Sequence, residues 1–148
     1  MGQLNVPTSG VVYVDANAVI YRVERIEPYL TASAPLWDAV DAGNSQVVTS
    51  ELTLLEVLVE PLHDGDAALA DLYRLVVLGT IGLTPLPLTR AVLEGAARIR
   101  AAHNVKTPDA LHAATALAAG CVLFVTNDPG FRRIPGLTVA LLSQIAAP

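Results

Sequence analysis

Short runs of β-branched and other apolar residues alternate with segments of helical periodicity along most of the chain, and this alternation limits the possible folds more than any other feature. Five runs have the pattern of buried strands, at residues 11–15, 46–50, 82–88, 121–126 and 137–142. Strands that alternate with helices assemble into parallel sheets with helices packed on both faces. The sequence therefore predicts an α/β fold, an α/β/α sandwich around a mostly parallel, roughly five-stranded central sheet.

Capping residues, prolines and glycines mark the boundaries of the intervening helices. We expect helices at about residues 16–24, 34–42, 51–60, 64–78, 90–103 and 107–119. Pro61 is expected to end the third of these. Thr107 is expected to cap the last one, which places Asp109 in its first turn. Two prolines in the 82–88 segment predict that this strand lies at an edge of the sheet.

The composition favours one compact domain, residues 1–148, in which residues 1–10 form an N-terminal extension. Hydrophobic residues make up 53% of the chain and charged residues 16%. The most apolar stretch, residues 110–125, is interrupted by polar residues and is shorter than the ~20 residues of a spanning helix, so we expect no membrane segment. The N-terminus does not resemble a signal peptide, and Cys121 is the only cysteine, which together favour a cytoplasmic protein.

Four acidic residues lie inside or at the ends of apolar runs, where unpaired carboxylates are costly. They are Asp15, Glu56, Asp109 and Asp128. Each also has an ordinary structural explanation, because aspartate is common in turns and at helix starts. Glu56 is the least easily explained, because the surrounding helix is apolar on nearly all sides and is therefore expected to be buried.

The predicted topology brings these four acids to one place. Asp15 and Asp128 follow the C-terminal ends of strands, and Asp109 and Glu56 lie near the starts of helices that begin at the same edge. Open parallel sheets bind ligands in the crevice at that edge. At about 4 Å and an effective dielectric near 20, each like-charged pair would repel by about 4 kcal/mol, whereas Mg²⁺ or Mn²⁺ prefers such oxygen ligands. A carboxylate metal site is the leading hypothesis.

Other kinds of site have little support. The chain contains neither a GxGxxG nor a GxxxxGK[ST] loop, and neither HExxH nor CxxC occurs. His112 lies one helical turn after Asp109 and could face the acids, but a packed core histidine is the simpler expectation. The net charge of −5 argues against broad electrostatic binding of nucleic acid and leaves room for a narrow site for one strand.

Four segments in order, VYVDANAVIY, SELTLLEVLVEP, TPDALHAATALAAGC and LFVTNDPGF, resemble the PIN-domain nucleases. The resemblance is strongest to the small toxin ribonucleases of toxin–antitoxin modules, the VapC type, and extends from about Val11 to Leu142. It implies a PIN-like fold, cleavage of RNA by an Mg²⁺- or Mn²⁺-dependent endoribonuclease, a homodimer, and inhibition by a cognate antitoxin.

The resemblance also implies roles for individual residues. Asp15, Glu56, Asp109 and Asp128 match the acidic quartet of the family, with Asp15 and Asp109 as the first choices for metal ligands. Glu56 would bind metal or orient the attacking water, and Asp128 would bind metal directly or through water. Three further residues are candidates for supporting these ligands: Asn17, Thr126 and Asn127. Three basic residues are weaker candidates for contacting substrate phosphates: Lys106, Arg132 and Arg133.

Two alternatives remain open at this level. One is a PIN-like fold that binds RNA or protein without catalysis, which the intact acidic quartet disfavours. The other is a different Mg²⁺-dependent phosphoryl-transfer domain with an acidic pocket. Such domains usually carry paired acids after the first strand, whereas Asp15 is followed by Ala16 and Asn17.

Overall fold

The centre of the molecule is a five-stranded sheet in which all neighbouring strands are parallel. The computed structural model describes residues 2–148. Its strands are β1 (Val11–Val14), β2 (Gln46–Ser50), β3 (Leu83–Leu86), β4 (Leu123–Thr126) and β5 (Val139–Leu141). Their order across the sheet is β3-β2-β1-β4-β5. The prediction of a five-stranded parallel sheet is confirmed, and the proline-containing β3 is an edge strand as expected.

Helices cover both faces of this sheet. They are α1 (Ala16–Val23), α2 (Tyr29–Asp41), α3 (Glu51–Asp64), α4 (Ala67–Gly79), α5 (Arg90–Ala102), α6 (Thr107–Ala118) and α7 (Leu142–Ala146), with a 3₁₀ helix at Pro129–Arg133.

Alternation along β1 separates the two hydrophobic cores. Val12 and Val14 pack with helices α1, α2, α3, α4 and α7 on one face, whereas Tyr13 packs with α5 and α6 on the other. This arrangement is the predicted α/β/α sandwich.

Helix α3 differs from the expectation in both its length and its burial. It continues through Pro61 to Asp64 and ends at Gly65, whose φ of +70° suits a residue without a Cβ. Pro61 lies on the buried face of the helix, in line with Thr53 and Val57. The expectation of a helix buried on all sides is wrong, because the side opposite these residues faces outward.

The starts of three helices differ from the expectation. Helix α4 begins at Ala67 rather than at residue 64, because α3 continues to Asp64 and Asp66 caps α4. Helix α2 begins at Tyr29 rather than near residue 34, because the Glu27 carboxylate accepts hydrogen bonds from the backbone N–H (3.1 Å) and the hydroxyl (2.8 Å) of Thr31 in its first turn. Helix α6 is capped at Lys106, one residue earlier than expected. The Thr107 hydroxyl accepts instead from the Arg100 guanidinium at 2.8 Å.

The segment before β1 packs on the domain. Leu4 is buried in the core, and its backbone N–H donates to the Ala32 carbonyl of α2 at 2.8 Å. The most apolar stretch of the sequence forms most of α6 and β4, as expected. Within residues 2–148, none of the helices combines the length and hydropathy needed to cross a membrane.

Candidate active site

The four acidic residues line one small cavity, about 70 Å³ in volume, at the C-terminal edge of the sheet. This edge lies beside β1, the strand at which the order of the sheet reverses, between β2 and β4. At such a switch point the connections that leave neighbouring strands run in opposite directions. They leave a crevice beyond the C-terminal ends of those strands. The residues lining the cavity are Asp15, Ala16, Asn17, Glu56, Asp109, His112, Asp128 and Phe131.

Asp15 is the most enclosed of the four, with 4% of its surface exposed. Its Oδ1 accepts the backbone N–H of Ala18 at 3.3 Å and so caps α1, while its Oδ2 accepts the Thr126 hydroxyl at 2.5 Å. Burial raises the pKa of Asp15 above its ordinary value, and the hydrogen bond from Thr126 partly opposes that shift. The ordinary capping role and the place in the acidic cavity therefore coexist in one side chain.

Asp109 and Asp128 approach the cavity from α6 and from the turn after β4. The pKa of Asp109 is raised, first by burial and second by the negative charge of Asp128. Asp128 accepts the backbone N–H of Gly130 at 2.8 Å, and its own N–H donates to the Thr126 hydroxyl at 3.0 Å. Thr126 thus links the backbone at Asp128 to the carboxylate of Asp15.

Glu56 reaches the cavity from α3 and contacts a histidine that sequence analysis assigned to the core. The two atoms His112 Nε2 and Glu56 Oε1 lie 2.5 Å apart. His112 Nδ1 in turn lies 2.6 Å from the hydroxyl of Tyr13. The expectation that His112 is buried is correct, yet the same side chain lines the site. In the sequence, the feature that indicated a place in the site was the position of His112 one helical turn after Asp109.

The candidate supporting residues behave differently. Thr126 contacts Asp15, and the exposed Asn17 lines the cavity. Asn127 instead donates to the Tyr21 hydroxyl at 3.1 Å and accepts the backbone N–H of Ser143 at 2.9 Å. It ties the end of β4 to α1 and α7 and does not line the acidic cavity.

A larger cleft, of about 350 Å³, opens directly beside the acids and shares Asp109, Asp128 and Phe131 with their cavity. Lys106 and Arg133 line it, as does Arg100, which sequence analysis did not select. Arg132 does not line this cleft, and its guanidinium bonds to Gln144 at 2.6 Å. We call the cleft lined by Arg100, Lys106 and Arg133 the basic cleft.

On the other side of Glu56, away from the basic cleft, the surface is acidic. A groove of about 130 Å³ between α1, α3 and α4 shares Glu56 with the acidic cavity. Its other acidic lining residues are Glu24, Glu60, Asp64 and Asp66. The electrostatic surroundings of the cavity are therefore one-sided, positive toward α5 and α6 and negative toward α4.

The donor set of the cavity fits a hard divalent cation. All four carboxylates line the same small volume, and the raised pKa values of Asp15 and Asp109 mark a place where added positive charge is favourable. Within residues 2–148, no three His, Cys, Asp or Glu side chains are close enough together to hold a metal ion as they are now arranged. Binding would require these side chains to move toward the ion.

The sequence model of the PIN domain matches residues 12–137. The chain belongs to the PIN domain family. No curated protein matches it in sequence.

Solved structures with this fold include several complexes. VapBC2 from Rickettsia felis, bound to a DNA fragment from its promoter, has a TM-score of 0.71 at 17% identity, covering 88% of this chain and 98% of that one. A toxin–antitoxin complex from Klebsiella pneumoniae has a TM-score of 0.66 at 22% identity, covering 88% and 97%. FitAcB from Neisseria gonorrhoeae has a TM-score of 0.66 at 15% identity, covering 89% and 98%. At these identities the similarity is one of fold.

Proposed function

We propose that this PIN domain is a metal-dependent endoribonuclease and the toxin of a toxin–antitoxin pair. The observation that carries the proposal is the meeting of Asp15, Glu56, Asp109 and Asp128 around one cavity at the switch point of the sheet. Mg²⁺ or Mn²⁺ held there would lower the pKa of a bound water and offset charge on the phosphoryl oxygens.

The chain's own residues divide the remaining work. Asp15 and Asp109 are the proposed principal ligands, because Asp15 is enclosed directly after β1, Asp109 lies in the first turn of α6, and both carboxylates line the same cavity. Thr126 holds the Asp15 carboxylate in place. Glu56 is the proposed ligand or water-orienting base, and Asp128 completes the set. Asn17, at the rim of the cavity, is placed to contact the substrate or a bound water.

The substrate we propose is a single RNA strand that leaves the acids along the basic cleft. Arg100, Lys106 and Arg133 can neutralise successive phosphates there. The acidic groove on the other side repels a polyanion, so few phosphate contacts are expected in that direction. This division accounts for nucleic-acid binding by a protein with a net charge of −5.

A protein partner is proposed from two observations. The structural neighbours include toxin–antitoxin complexes. In addition, α3 and α4 expose large apolar side chains that a water-facing surface rarely concentrates. The exposed fractions range from 42% to 67% for Leu55, Val59, Leu62, Leu72, Leu75 and Leu78. We propose an antitoxin as the inhibitory partner and a homodimer as the assembly state, acting in the cytoplasm where the RNA substrates lie.

The test is cleavage of a labelled RNA mixture by the purified, metal-stripped protein. We expect activity only after Mg²⁺ or Mn²⁺ is added, loss of activity with EDTA, and no recovery in Asp109→Asn. The matched control is Asp38→Asn, which changes an exposed aspartate on α2 outside the cavity. Cleavage that persists after exhaustive chelation would refute the mechanism. Metal binding without cleavage of any RNA would favour the non-catalytic alternative.

A further inference from the structure

We propose that His112 is a positioning residue that holds the Glu56 carboxylate in its working orientation, and that Tyr13 sets the tautomer His112 needs to do so. The proposal deepens the proposed function, because the residue being held is one of the four acids. It rests on a continuous line of contacts from β1 through α6 to α3. The members are Tyr13, His112 and Glu56.

The inner end of this line is rigid. Tyr13 is fully buried, and its ring stacks on Phe124 with centroids 4.8 Å apart and planes 9° apart. The His112 ring meets Tyr13 edge-on and is itself 2% exposed. Neither ring can rotate without disturbing the core between the sheet and α6. The imidazole is consequently a fixed platform, with Nε2 directed at the site.

For a neutral imidazole and an ionised Glu56 carboxylate, counting donors and acceptors places both protons. An ionised carboxylate only accepts, so the 2.5 Å contact requires a proton on His112 Nε2. A neutral imidazole then has a lone pair on Nδ1, and the Tyr13 hydroxyl 2.6 Å away donates to it. The opposite tautomer would place a nitrogen lone pair against a carboxylate oxygen.

Glu56 needs such a restraint more than the other acids do. Asp15 and Asp128 are held by backbone N–H groups of the turns that follow them. Glu56 has a longer side chain, is 30% exposed, and projects from a helix between the acidic cavity and the acidic groove. With Oε1 bound to His112, the carboxylate faces the cavity and Oε2 remains available to a metal ion or water. Substituting a residue that orients a metal ligand in this way typically lowers metal affinity or activity by about 10- to 100-fold.

Two substitutions separate positioning from packing. In His112→Gln, the amide nitrogen lies near the place of Nε2 and can still donate to Glu56. In His112→Asn, the amide lies near the place of Nδ1 and reaches only toward Tyr13. Both replace the ring by a smaller amide, so both lose packing. We expect Mn²⁺ affinity, measured by calorimetry on the full chain, to fall about 10- to 100-fold in His112→Asn and by less than about 3-fold in His112→Gln.

A measurement on the wild-type protein keeps the proposal testable if either variant fails to fold. Long-range ¹H–¹⁵N correlation spectra report which imidazole nitrogen carries the proton. We expect His112 to be protonated on Nε2 and, in Tyr13→Phe, to show a mixture of tautomers while the ring stacking is retained. A proton on Nδ1 in the wild type, or equal losses of Mn²⁺ affinity in the two His112 variants, would overturn the proposal. An Nε2 proton together with Mn²⁺ binding but no RNA cleavage would refute the nuclease and leave the positioning role intact.

Discussion

Replacing Glu56 by glutamine removes one negative charge while leaving the shape of the site in place. In Glu56→Gln, the side-chain amide oxygen can still accept the hydrogen bond from His112 Nε2, and glutamine has nearly the same helix propensity as glutamate. A unit charge about 4 Å from a divalent ion contributes at most about 8 kcal/mol at an effective dielectric near 20. Solvent reaches Glu56, which is 30% exposed, and offsets part of this. We expect a loss of about 3–4 kcal/mol in transition-state stabilisation, a 100- to 1,000-fold reduction in kcat/KM.

The same helix provides the controls. Glu51 lies in the first turn of α3, and Glu60 lines the acidic groove rather than the acidic cavity. Both side chains are exposed, so solvent and salt screen their charges. Glu51→Gln and Glu60→Gln should each change kcat/KM by less than about 3-fold, since mobile exposed charges contribute little.

The assay is RNA cleavage with saturating Mn²⁺, accompanied by thermal unfolding of each variant to establish that it is folded. Growth arrest on expression in cells provides an independent readout and should disappear only with Glu56→Gln. Equal losses in all three variants would show that a general charge effect, rather than a site, is responsible. Full activity of Glu56→Gln would show that this residue is outside the reaction.

Other predictions follow from the charges around the cavity. Asp15→Asn or Asp109→Asn should raise the melting temperature of the metal-free protein and weaken Mn²⁺ binding. Each substitution removes the negative charge of a carboxyl group whose pKa is raised by burial. Mn²⁺ at ten times its Kd should stabilise the wild type by about 1.4 kcal/mol, a shift that chelation reverses. In the metal-free state, the folded protein takes up protons on these two carboxyls before the unfolded chain does. Its free energy of unfolding relative to Asp15→Asn should therefore rise as the pH falls through the raised pKa value of Asp15 toward the ordinary value of about 3.9, as followed by urea titration. Lys106→Gln and Arg133→Gln should weaken RNA binding, measured by filter binding, and reduce its salt dependence. Arg132 does not line the basic cleft, so Arg132→Gln should leave both the affinity and its salt dependence nearly unchanged.

The sequence was most informative where local pattern and topology act together. The strand ends at Val14 and Thr126, followed by acids, were enough to predict the edge of the sheet at which the acids meet. The start of α6 was predicted to within one residue from Pro108 and Asp109. These features depend on backbone preferences and on the parallel order of the strands, which a single chain displays directly.

The parts that were missed depend on contacts between distant segments. The start of α2 is displaced by the carboxylate of Glu27, and the outward-facing side of α3 cannot be recognised because its apolar residues look like core. The contacts of His112 with Tyr13 and Glu56 could not be predicted, because these residues lie 99 and 56 positions away in the chain. Arg100 reaches the basic cleft through its bond to Thr107 at the start of the next helix.

The central claim is that the four carboxylates at the edge of the sheet form the metal site of a nuclease. The most direct test is anomalous diffraction from crystals grown or soaked with Mn²⁺. The account predicts a manganese peak in the cavity between Asp15 and Asp109, bound through their carboxylates, and absent from crystals of Asp109→Asn. Manganese bound elsewhere, or an empty cavity in a preparation that cleaves RNA, would contradict it.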